Sequence, residues 1–126
     1  MQLPSAVLLW RADECAAPGP VRACCLRSTE PGSVAVVYRT RVDQGIVGVV
    51  DFRTASAPRP EGGWAAAGVF TPLPHPLPRA DLLGDDVLRP VFAALRSKRG
   101  LPEPVARRLV GLLGLPVRPP GPSGPR

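Results

Sequence analysis

Side chains able to carry out covalent chemistry are few and scattered in this chain. Its one histidine, His75, lies among alternating prolines, and no Gly-x-Ser-x-Gly or phosphate-binding loop is present. The acidic residues stand singly except for Asp13-Glu14 and Asp85-Asp86, and the second pair reads better as negative charge at a helix N-terminus than as cooperating carboxylates. Cys15, Cys24 and Cys25 cannot all pair within one molecule, and adjacent half-cystines make a poor disulfide, so free thiols in a reducing compartment are expected. No CxxC occurs, and no metal site and no cofactor are expected. The chain therefore reads as non-enzymatic. What remains is non-covalent recognition: an aromatic at a strand exit (Trp10), a strand ending Tyr38-Arg39-Thr40, and the returning run Gly45-Ile46-Val47-Gly48. Each of these residues also has a plain packing role. Trp10 can fill a core or its rim, Tyr38 can cap a sheet, Arg39 can be a solvated strand face, and the glycines can serve the hairpin alone.

The elements that would position these residues are short. Of 126 residues, 18 are proline and 13 glycine, which forbids a long helical architecture. Leu, Ile, Val and Phe supply 34 positions, enough for a compact core at a net charge of +6. Leu3 to Trp10 reads as a buried strand, and Arg11 to Pro31 reads as mostly loop with a brief strand available to Val21–Leu26. SVAVVYRT and GIVGVVDF, joined by Arg41-Val42-Asp43-Gln44, predict a β-hairpin. Thr54 to Gly63 reads as an exposed loop and Trp64 to Leu73 as a further strand. The alternating Pro72, Pro74, Pro76 and Pro78 exclude helix and fit an extended edge segment leading into a helical part.

Two helices are expected after that crossover. One runs from about Asp86 to Arg99 with Val91, Phe92 and Leu95 inward, and one opens at Pro104 with Val105, Leu109 and Leu112 on one apolar face and ends near Gly114. Residues 116–126 repeat proline every third position and predict a disordered tail. The charge divides unevenly. Residues 1–88 carry 8 Arg against 9 acids, whereas residues 89–115 carry six basic groups against Glu103. No basic leader and no apolar run long enough to span a bilayer is present, so a cytoplasmic protein with no membrane contact is expected.

Val36-Val37-Tyr38-Arg39-Thr40, with Gly32 before it and Gly45-Ile46-Val47-Gly48 after it, resembles the EVE domain family of the PUA-like superfold. Phe70-Thr71-Pro72-Leu73, Pro76-Leu77 and Arg79-Ala80-Asp81-Leu82 are similar to that family's closing strand and its entry into short helices. Ser33 stands where the family has Asp after Gly, and only about twenty Pro-rich residues fill a connection that in the family holds a helix. The resemblance implies an α+β domain over residues 1–115, built as a small PUA-like mixed β-barrel with a C-terminal helical pair. It also implies a module that binds DNA or RNA and reads a modified base of the 5-methylcytosine type, with a separate effector protein as a further partner. In that reading Trp10 and Tyr38 supply aromatic faces, Thr40 a hydroxyl, Arg39 a phosphate or base-edge contact, and Gly45 and Gly48 close backbone, while Arg96 and Arg99 add basic charge. Extruding a base costs a few kcal/mol, and stacking returns about 1–3 kcal/mol per base. The rival reading is a protein-interaction or small-ligand module on the same barrel without the base pocket.

Overall fold

The computed structural model describes residues 4–9, 18–24, 27–96 and 99–114. The hairpin is its centre. β3 (Val34–Arg39) and β4 (Gly45–Phe52) pair antiparallel, with Val36 opposite Val49. Val37 faces Gly48 while Tyr38 faces Ile46, so Val47 is an extra residue that bulges β4. The turn begins one residue earlier than the sequence suggests, because Thr40 has already left the strand.

β6 (Trp64–Pro78) merges two expected segments into one strand of 15 residues. Its first half lies between β4 and β2 (Gly19–Cys24), so the region expected to be mostly loop supplies a full six-residue strand. The β2 ladder ends at Gly19 opposite Phe70. Beyond that point β6 has only β4 beside it, and a proline without an N–H is tolerated where one side of the strand is unpaired. The two-residue β5 (Ala57–Pro58) pairs with the start of β6.

β1 (Pro4–Leu9) runs parallel to β3, with Leu9 opposite Tyr38, and is flanked by the two-residue β7 (Arg99–Gly100). The sheet order is β2-β6-β4-β3-β1-β7. This mixed sheet is open, with β2 and β7 at its edges, which corrects the expected closed barrel. Closure requires an uninterrupted ladder between the two edges. Here one edge strand carries Pro20 and the other is two residues long.

Both sheet faces are buried. Ala6, Leu8, Ala35, Val37, Val50, Phe52, Ala66 and Phe70 form a core that, among the described residues, strands alone contribute. The alternate residues Val7, Val36, Tyr38 and Ile46 face Leu82, Leu88, Val91, Phe92, Val105 and Leu109. Burial on both sides explains why the hairpin strands read as nearly continuous apolar runs.

The helical part differs from the expected pair. α1 (Arg79–Leu83) and α2 (Arg89–Ala93) are five residues each, and α3 (Glu103–Leu113) has eleven. The helix expected over Asp86 to Arg99 is therefore cut to its middle. Pro90 sets its start, Ala94 leaves helical geometry, and the chain is drawn back to the sheet edge where Arg99 pairs with Val7. α3 follows expectation at both ends, with Pro104 in its first turn and Gly114 at φ 65° donating its N–H to the Val110 carbonyl. Its buried stripe is Val105, Ala106, Leu109 and Val110. Leu112 lies about 90° from the centre of that stripe at 100° per residue and is 41% exposed, contrary to its expected inward position.

Candidate functional site

Tyr38, Arg39, Thr40 and Gly45 gather at the end of the sheet where β3 turns into β4 and β6 passes into α1. Tyr38 and Arg39 are neighbours on β3, and strand alternation sends their side chains to opposite faces. Tyr38 points into the helix-side core. It is 2% exposed, and its ring stacks on Phe92 with centroids 5.8 Å apart and planes at 24°. It is thus no open platform for stacking: Phe92, brought in by α2, already covers the ring. The Tyr38 hydroxyl is buried beside the Arg79 guanidinium, and its own proton meets no acceptor. Burial pushes its phenol above the ordinary value of 10.0, and the guanidinium of Arg79 at the start of α1 opposes that shift. The phenol therefore keeps its proton at neutral pH and stands as an unused donor.

Arg39 is half-buried, and its Nε likewise has no partner. Thr40 is exposed at the start of the turn. Gly45 lies opposite both Arg39 and Pro78, and a Cβ placed there would come 2.9 Å from Pro78 Cα and still closer to the Leu77 carbonyl. A Cβ at Gly48 would strike the Phe70 ring and sit 2.8 Å from the Thr71 carbonyl oxygen. The close backbone approach foreseen at both glycines is made by β6 itself. Arg96 is exposed just beyond α2, and Arg99 is half-buried on β7 rather than near a helix end. Trp10 lies outside the described residues, as do Cys15, Cys25 and the tail 116–126.

Charge is distributed unevenly over the described residues. Asp51–Arg53, Glu61–Arg59, Asp86–Arg89, Glu103–Arg107 and Asp85–Arg108 are ion pairs. Arg39, Arg41 and Arg99 make none among the described residues, so the sheet end around Tyr38 keeps its positive charge. Two contributors escaped the sequence reading. Phe92 and Arg79 are far from Tyr38 along the chain, and no spacing signal links a strand aromatic to a helix packed across it.

At the other half of the sheet, Arg22, Arg59, Pro60, Glu61 and Ala65 line an open cleft of about 260 Å³. Nearby, Arg27 lies 5.5 Å over the Trp64 ring. Trp64 heads β6 and packs half-buried against the core formed by the strands. No group of three or more His, Cys, Asp or Glu able to hold a metal occurs among the described residues. No helix among them is long and apolar enough to cross a membrane.

No family model and no curated protein matches the chain. Solved structures do. The NMR structure of Rpa0253 from Rhodopseudomonas palustris matches with a TM-score of 0.65 at 14% identity, covering 90% of this chain and 94% of that one. The crystal structure of Atu2648 from Agrobacterium tumefaciens matches with a TM-score of 0.63 at 15% identity, covering 91% and 97%. Both are structural genomics targets. The likeness extends over nearly all of each chain and establishes a shared α+β fold.

Proposed function

We propose that this α+β domain, with its open mixed sheet, is a non-catalytic nucleic-acid-binding module of the EVE type and PUA-like lineage, acting in the cytoplasm and reading a modified base in DNA or RNA. The observation that carries the reading is the Tyr38 hydroxyl, a buried donor with no acceptor, at a sheet end where Arg39 and Arg41 make no ion pair among the described residues. Leaving such a donor unmet costs about 1–3 kcal/mol, and folded proteins keep few of them. A base carbonyl or ring nitrogen is an acceptor that would meet it, and phosphates would answer the arginines. In this proposal Tyr38 contributes its hydroxyl and not its face, so stacking falls to Trp10.

The test is a fluorescence titration with short single- and double-stranded oligonucleotides, modified and unmodified, at two salt concentrations. Tighter binding of the modified strand, weakening as salt rises, is expected. Binding that ignores both modification and salt, or no binding at all, would overturn the reading. A second reading, a protein-interaction module on the same fold, is favoured by the closed packing of Phe92 on Tyr38 and of β6 on Gly45 and Gly48. It predicts no oligonucleotide binding in the same titration.

A further inference from the structure

The turn between β3 and β4 is anchored at its base and bare at its tip. Arg39 and Gly45 pair across the two strands, Gly45 is seated against Leu77 and Pro78, and the Arg79 N–H donates to the Gln44 carbonyl at 2.9 Å. Between these anchors Thr40, Arg41, Val42, Asp43 and Gln44 are all exposed. Asp43 takes φ 56°, the left-handed conformation that Asp tolerates better than most residues, and this sets the bend. Val42 sits beside it at 77% exposure, the most exposed large hydrophobic side chain among the described residues.

A lone exposed valine ordinarily has no meaning. This one differs in its mounting. It is the apolar member of an otherwise polar turn, pinned by two neighbouring elements, and its β-branched side chain is stiff at χ1. Arg41 precedes it without an ion pair among the described residues.

We infer that Val42 is a wedge for double-stranded nucleic acid. The inference rests on the base-reading proposal above. A module that draws one base out of a duplex leaves a gap in the stack, and a rigid apolar side chain entering at that step offsets the lost stacking. Arg41 then meets a phosphate beside the opened step. A base in a single strand has no duplex gap to fill, so Val42 governs duplex binding and not recognition of the base itself.

The experiment compares the full chain with Val42→Ser and Val42→Leu, on a duplex carrying one 5-methylcytosine and on the same modified strand alone. Serine removes the apolar branch without adding charge, and its exposed position leaves Tm unchanged as a folding control. Val42→Ser is expected to weaken duplex binding about tenfold and single-strand binding less than twofold, while Val42→Leu binds both like the parent. Parent-like duplex binding by Val42→Ser, or equal loss on both forms, overturns the wedge and leaves the base reading standing. If the unaltered chain binds neither form, the base reading falls and the wedge falls with it.

Discussion

At the residue scale, Tyr38 separates ring from hydroxyl. The ring packs on Phe92 and belongs to the core, whereas the hydroxyl lies beside Arg79 and donates to nothing. Tyr38→Phe keeps the first and removes the second. The variant is expected to be as stable as the parent or up to about 1 kcal/mol more stable in urea unfolding, and to bind the modified strand about tenfold more weakly. Equal binding by the two proteins would remove the hydroxyl from the site. The raised phenol has its own signature. Because the folded-state value lies above the unfolded one, its stabilising contribution is complete below about pH 10 and is lost as pH rises through the folded value, so Tyr38→Phe should flatten the alkaline limb of the stability curve. Gly48 illustrates what sequence can convey at this scale. A glycine within a strand signals a close approach, and one is there, but which partner approaches depends on Phe70 and Thr71 across the sheet. Gly48→Ala should cost about 1–3 kcal/mol by chemical denaturation, because the Phe70 ring must move.

At the element scale, local signals were legible and tertiary demands were not. The β3–β4 hairpin and both ends of α3 follow from β-branched runs, Pro104 and Gly114. The expected helix over residues 86–99 shares only its middle with α2, because no local rule announces that Arg99 and Gly100 will pair with β1. Asp85 holds this region together. Its carboxylate accepts the Val87 and Leu88 N–H groups at 2.9 and 3.2 Å and receives Arg108 Nε of α3 at 2.7 Å. The Arg108 hydrogen bond foremost, followed by the two backbone N–H groups, keeps the Asp85 carboxyl below its ordinary value. A lowered folded-state value gives stability that is present above the unfolded value and lost as pH falls through the folded one. Acidification below about pH 4 should therefore loosen α2 and α3 first, visible as faster amide exchange at Leu88 and Leu109, and Asp85→Asn should show that exchange already at pH 7.

At the scale of the whole molecule, composition indicated a compact domain of short elements, and the open seven-stranded sheet with three helices among the described residues agrees. Closure into a barrel was not legible, since it turns on what the two edge strands do and not on any strand's own pattern. Net charge misleads in the same way. The +6 total hides five ion pairs among the described residues that occupy arginines just after β4, in the β5–β6 loop, at the start of α2 and on α3. Replacing both Arg39 and Arg41 with Gln should lower the slope of log affinity against log salt by about 2 for nucleic acid, whereas replacing Arg107, already paired with Glu103, should leave it nearly unchanged.

The placement of β1 bears on how the chain reaches this state. β1 precedes the other described strands in the sequence, yet its neighbours are β3 on one side and β7, about ninety residues later, on the other. β1 can pair with β3 once residues 34–39 are made, whereas its other edge and its helix-side face wait for β7 and α3. During synthesis the apolar strand Ala6-Val7-Leu8-Leu9 therefore stays open on one edge and one face until β7 and α3 have been made. Refolding yield should fall with protein concentration unless that strand is shielded.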